Sequence, residues 1–239
     1  MRRRPNQLSA AALRAADVAA VVPGRILQGI FGAVALVRPA PKPLHPSGRL
    51  HPVVIRTFGL AEDDRVGVPW IDSPGESRAV ARFSRATGLP TALPDIHGLA
   101  IRIDDASAEG EHADLLMATT GLGRLSRFVL RPSRTPSDST YSTLFPYSTG
   151  SGALLLAATP DLHDPDRMFL AIASPRGDWR VFADLRIEDA DHARTGDASI
   201  SFDPIVHQLE GLDYYAWAVR LREGAYRAAR WTRGDPADG

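Results

Sequence analysis

The sequence predicts a mainly β chain with some α: an eight-stranded antiparallel β-barrel, with a helical arm before it and one helix after it. Three observations predict this. Eight short runs rich in β-branched and aromatic residues lie between Gly, Pro and Asp punctuation. Few helical patterns fall between them, and eight antiparallel strands can close on themselves and remove exposed edges. The final segment switches to a helical period, with Trp217, Leu221, Ala225 and Ala228 on one face.

The elements follow in order. Ser9–Val22 and Arg25–Val37 read as two short helices separated by Pro23-Gly24, within an arm at 1–41. Arg2, Arg3 and Arg4 precede apolar residues, but Arg14 and Asp17 interrupt them and no small-x-small cleavage site follows, so a secretory signal is not expected. The next apolar run, Ile26 to Val37, is too short to span a bilayer. The arm is expected to lie on a partner subunit rather than on a membrane surface, and a homo-oligomer is left open. A proline-rich segment, Pro39–Pro46, leads into the body at 42–239. The strand runs are Val53–Phe58, Ala79–Ser84, Gly98–Ile103, Asp114–Thr119, Ala153–Ala158, Met168–Ala173, Asp178–Ile187 and Ala198–Phe202. Pro175–Gly177 reads as a hairpin turn and Pro132–Gly150 as a long loop. Within that loop Tyr141, Phe145 and Tyr147 are candidates to cover a ligand or a subunit contact. Tyr214–Trp231 is the terminal helix.

Composition removes several function classes. The chain has 239 residues, 44% of them hydrophobic, enough for one sizeable core. Lys plus Arg and Asp plus Glu balance at 28 each, so no bulk field favours nucleic acid or an anionic membrane. Lys42 is the only lysine. With no cysteine there are no disulfides, thiolate-held metals, iron–sulfur clusters or cysteine nucleophiles, which agrees with a cytoplasmic location. No Gly-x-Ser-x-Gly, phosphate loop or dinucleotide fingerprint is present.

Three stretches carry the chemistry. The first is Lys42-Pro43-Leu44-His45-Pro46-Ser47-Gly48. The second is Val80-Ala81-Arg82-Phe83-Ser84, followed by Leu93-Pro94-Asp95-Ile96-His97-Gly98-Leu99-Ala100-Ile101. The third is Phe202-Asp203-Pro204, then Gly211-Leu212, then Arg222 and Tyr226. Arg222 and Tyr226 are spaced i, i+4 and meet on a helix. A guanidinium beside a phenol favours the phenolate.

In order and spacing these stretches resemble the haem catalases, over roughly Lys42 to Arg233. That family has a basic residue ahead of a distal His-x-x-Gly, an Arg-Phe-Ser strand, an Asp-x-Arg-Gly strand, a Phe-Asn-Pro segment, and Arg-x-x-x-Tyr on the proximal helix. The resemblance implies a minimal, truncated catalase-like barrel binding b-type haem. Tyr226 would be the axial ligand to the haem iron, assisted by Arg222. Lys42, Arg82 and Arg233 would face the haem carboxylates. His45 would act as distal general acid–base on peroxide, with Ser84 beside it. His51 is a competitor for the distal role; His45 is preferred because Gly48 follows and Lys42 precedes it at the family spacing.

The departures matter too. Ala118 stands where the family has a distal asparagine, and Thr119 could replace that amide only if the register shifts. His97 stands where the family has arginine. The expected function is therefore peroxidase-like or weak catalase-like oxidoreductase activity on hydrogen peroxide or another small-molecule substrate. The alternatives are a haem-free small-molecule-binding barrel, or a phosphodiesterase-like hydrolase in the same cavity. Two acidic clusters around His163 and His112 are expected to be solvated turns rather than metal sites.

Overall fold

The computed structural model describes residues 47–86, 93–108, 110–188, 200–216 and 218. Ten strands occur in them: β1 (Ser47–Phe58), β2 (Pro74–Arg85), β3 (His97–Ile103), β4 (Ala113–Thr119), β5 (Tyr141–Ser142), β6 (Tyr147–Thr149), β7 (Gly152–Pro160), β8 (Arg167–Ala173), β9 (Arg180–Ile187) and β10 (Asp213–Tyr214). One short helix, α1 (Pro69–Asp72), joins β1 to β2. Every pairing is antiparallel. The order β8-β9-β1-β2-β3-β4-β5-β7 closes because β7 also pairs with β8. This is a closed eight-stranded barrel. β6 and β10 extend β7 as a small flap.

Strand alternation explains the closure. Val53, Ile55 and Thr57 on β1 point inward, as do Ala79 and Ala81 on β2, Leu99, Ile101 and Ile103 on β3, and Leu115 and Met117 on β4. Leu156, Ile172 and Leu185 complete the same core from the other side. Side chains fill the barrel interior, which buries the apolar set from all eight strands at once. A register shift between Leu170 and Ala171 adjusts the β8–β9 pairing.

Prolines sit where a missing N–H is tolerated. Pro74 opens β2 and Pro160 ends β7. Pro52 lies just outside the β1–β9 pairing, which begins at Val53. Asp72 ties the β1–β2 connection: its carboxylate accepts the backbone N–H groups of Val66, Gly67 and Val68 at 2.9, 2.8 and 3.1 Å.

Three strand expectations need correction. Ile200, Ser201 and Phe202 are not in a strand, so the run expected at Ala198–Phe202 does not supply the eighth strand. β5 does, from inside the segment expected to be a loop. Residues 200–212 instead cross one mouth of the barrel. Ser201 O accepts from Arg102 at 2.7 Å, Asp203 N–H donates to Asp114 at 2.8 Å, and Leu209 and Leu212 enter the core. Tyr214, expected to be helical, lies in β10; helix is present at Ala216 and Ala218. The rest of the expected helix, and both helices of the arm, lie outside the described residues.

Tyr141 and Tyr147 do not cover a site from a loop. Both are buried in the core. The Tyr141 hydroxyl donates to Pro136 O at 2.7 Å, and burial pushes that phenol well above the usual tyrosine range. Among the described residues, no helix is long and apolar enough to cross a membrane.

Candidate functional site

β2 divides the candidate chemistry between two faces. Ala79, Ala81 and Phe83 point inward, so Arg82 and Ser84 point outward. Both are buried, at 8% and 5% relative exposure. The register carries this outer face across the sheet. Ser84 pairs with Gly48 and Gly98, Gly98 with Ala118, and Ala118 with Ser142. Beside this row runs a second: Leu50, Arg82, Ala100 and Leu116. The Ser84 hydroxyl donates to Gly98 O at 3.4 Å.

Gly48 has a spatial reason to be glycine. A Cβ there would lie 2.7 Å from Arg82 Cζ and 2.8 Å from its Nε and Nη2. The glycine of the His-x-x-Gly pattern thus leaves room for the guanidinium of the Arg-Phe-Ser pattern. Two motifs far apart in sequence meet at one contact.

The outer row is small-sided and mostly apolar around Ala118. Ala118 and Leu130 pack against buried Ala86 and Ile96, separately from the barrel core. Thr119 does not take the place of the missing amide, because the β3–β4 register is regular and keeps it on the other face. Its hydroxyl accepts the His97 N–H at 3.1 Å. Ser142, which sequence reasoning passed over, brings a hydroxyl into the row, but that oxygen is committed. It donates to Arg127 O at 3.0 Å, accepts from Thr120 at 3.0 Å, and accepts the Leu144 N–H at 3.2 Å. Arg127 is buried in turn, donating to Gly123, Ser174 and Gly177 carbonyls at 3.0–3.1 Å. Only the fold could reveal this plug, since its partners lie in two loops distant in sequence.

The histidines separate by face. His51 pairs with Ala81 and lies edge-on to Phe83, which in turn meets Tyr141. It therefore occupies the inward face, away from Arg82 and Ser84. Burial, aided by Arg49, holds its imidazole below the ordinary value. His97 is fully buried at the start of β3. Its Nε2 is 2.9 Å from Ser133 O, which makes Nε2–H the donor and leaves Nδ1 bare. Burial holds His97 below the usual histidine value, with Arg85 adding to the effect and the Ser133 carbonyl and Asp95 opposing it. It pins the 133 region beneath the barrel rather than facing Ser84.

No family model matches this sequence, and no curated protein matches it. Among solved structures, a fungal catalase is similar, with a TM-score of 0.55 and 12% identity over 88% of this chain and 63% of the catalase chain. The fold is catalase-like. At that identity the likeness is one of fold alone, and this chain spans under two thirds of the catalase chain. Of the site residues expected from sequence, Arg82 and Ser84 are brought together on one face. Lys42, His45, Arg222, Tyr226 and Arg233 lie outside the described residues.

The acidic cluster around His163 lies at the surface, whereas the one around His112 is not a solvated turn: Asp114 is buried on β4 and bound by Arg102. Asp161 pairs with Arg167 at 3.7 Å and Asp164 with Arg186 at 3.4 Å. Among the described residues no group of three or more His, Asp or Glu is placed to hold a metal.

Proposed function

We propose that the chain is a haem-binding, catalase-like protein with peroxidase-like or weak catalase activity on peroxides. The observation that carries this reading is the contact between Arg82 and Gly48 on the outer face that also bears Ser84. It supports the pairing of two motifs that the haem-catalase resemblance assigns to one pocket.

The described part of the face fits a haem. The row Gly48, Ser84, Gly98 and Ala118 projects no large side chain, so it offers a flat wall. The apolar cluster of Ala86, Ile96, Ala118 and Leu130 borders it, and Arg82 supplies a cation for a carboxylate. In this reading Lys42 and Arg233 provide further cations, Tyr226 is the axial oxygen ligand, and Arg222 favours its phenolate form. Haem would supply the iron at which a peroxide reacts. His45 would take a proton from the bound peroxide and return it to the leaving oxygen. Ala118 presents a methyl, which donates no hydrogen bond to a peroxide, so dismutation is expected to be weak relative to peroxidation.

The alternatives draw less support. Small-molecule binding inside the barrel competes with a core already filled by side chains. A metal-dependent hydrolase finds no metal cluster among the described residues.

The test is spectroscopic. Expressed with ample haem precursor, the protein is expected to carry a Soret band of ferric tyrosinate type. Tyr226→Phe removes that band, and Arg222→Leu weakens it. His45→Ala keeps the spectrum and lowers peroxide turnover by roughly two to four orders of magnitude. A colourless wild type that takes up no added hemin refutes the proposal.

A further inference from the structure

Residues 200–212, which strap the barrel mouth between Arg102 and the small flap, are joined to the β3–β4 hairpin by two histidines. The rings of His112 and His207 stack with centroids 4.0 Å apart at 40°. The same strap is held by Asp114 N–H to His207 O at 2.9 Å, Asp203 N–H to Asp114 Oδ2 at 2.8 Å, and Glu210 N–H to Ala106 O at 3.2 Å. The stack is therefore one layer of a hydrogen-bonded seam, and the groups around it decide what a proton would do there.

We propose that His112, packed against His207 of the strap, is an acid-operated latch: proton uptake by His112 loosens residues 200–212 from the barrel mouth.

The charge inventory supports it. Arg102 on β3 already engages Asp114 on β4 through both carboxylate oxygens, at 2.8 and 2.7 Å. Asp114 also accepts the Asp203 N–H, so it has little capacity for another charged donor. The Asp203 carboxylate is committed to its own turn, accepting Ile205 and Val206 N–H groups at 3.0 and 3.3 Å. Glu111 remains, with Oε2 4.0 Å from His207 Nδ1 and 63% side-chain exposure. One exposed carboxylate can balance one imidazolium at most. A proton on His112 would set an imidazolium near the Arg102 guanidinium, whose carboxylate partner Asp114 is already engaged. His112 Nε2 is buried without a hydrogen-bond partner among the described residues, so a charge on that ring is poorly solvated.

The sign follows from linkage. Burial, with Arg102 and His207 alongside, holds the His112 imidazole below its ordinary 6.5, while Asp114 and Glu111 pull the other way. The latched state therefore binds fewer protons than the open one. Latching is at full strength above the ordinary histidine value and weakens as pH falls through it. The inference is independent of haem binding.

Hydrogen exchange on the full chain at pH 7.5 and 5.5, corrected for intrinsic rates, reads the latch at the Asp114, Asp203 and Glu210 amides, whose bonds cross the seam. Their opening is expected to rise at low pH by up to roughly tenfold per pH unit for one linked proton, while β2 and β3 amides stay protected. His112→Gln should flatten this dependence; His163→Gln, in the β7–β8 turn, should leave it intact. Should His112→Gln not fold, His112→Asn provides the same reading with a shorter uncharged side chain. The proposal is overturned if wild-type strap protection is independent of pH. It is equally overturned if β2 and β3 open in parallel, or if the folded His112 variant keeps the wild-type slope.

Discussion

The inner and outer faces of β2 through β4 use the same twelve- and seven-residue strands for different ends. Inward, Ala79, Ala81, Leu99, Ile101, Leu115 and Met117 differ in size and interdigitate, and each is buried by partners from other strands. Outward, the row of Ser84, Gly98 and Ala118, continued by Gly48 on β1, is small, and Arg82 in the next row lies over the glycine. A face built for stability fills space with varied volumes. The small row instead leaves the neighbouring Arg82 guanidinium room to lie over it. The difference teaches that burial alone does not identify a core: Arg82 and Ile101 are both buried, and only Ile101 belongs to the barrel interior.

The sharpest way to break this comparison is to truncate each face and ask what is lost. Leu156→Ala on the inner face is expected to cost about 2–5 kcal/mol, from lost apolar burial plus the cavity left behind. Urea unfolding checks it, and a change under 1 kcal/mol would mean that the interior is not tightly packed. Arg82→Gln on the outer face is expected to act on ligand rather than on fold. Loss of one charge-assisted contact should weaken hemin uptake by roughly 10- to 100-fold, as measured by titration. Unchanged hemin affinity would remove Arg82 from the site.

A smaller effect separates the two ends of β3. Burial holds the His97 imidazole below its ordinary value in the native state, so the folded protein binds fewer protons there than the unfolded chain. Its contribution is complete above the ordinary 6.5 and declines as pH falls through that value. The urea midpoint should drop between pH 7.5 and 5.5. His97→Gln, which still offers an N–H to Ser133 O, should reduce the drop. A midpoint equally pH-dependent in the variant would shift the burden to His51 or His112. The smallest change is Gly48→Ala. Arg82 is the far end of a flexible chain and can swing aside, so melting temperature should move little while hemin affinity falls a few-fold. A large loss of stability would show that the guanidinium is fixed in place by more than the glycine.

Legibility varied with the range of the interactions. Arg82 and Ser84 were singled out separately from the resemblance, and strand alternation, by which residues two apart share a face, is what puts them together. Long alternating runs located seven strands of the barrel, although β1 and β2 begin at Ser47 and Pro74, well ahead of the expected Val53 and Ala79. β5 was not readable: Tyr141–Ser142 is too short to show a period, and it is a strand only because β4 and β7 lie on either side of it. The Ala198–Phe202 run misled for the converse reason. Its apolar residues are compatible with a strand, but Arg102 and Asp114 bind the backbone at Ser201 and Asp203 and hold it as a strap.

The sequence by itself determined the class of the fold, since period-two burial on successive short runs leaves few arrangements other than a closed sheet. Tertiary structure alone decided which face each motif residue occupies, that His51 turns inward, that Thr119 cannot move to Ala118's side, and that β7 meets β8 to close the ring. Those outcomes depend on register between strands distant in sequence. Local propensity carries no term for register, which is set by the simultaneous packing of every inward residue.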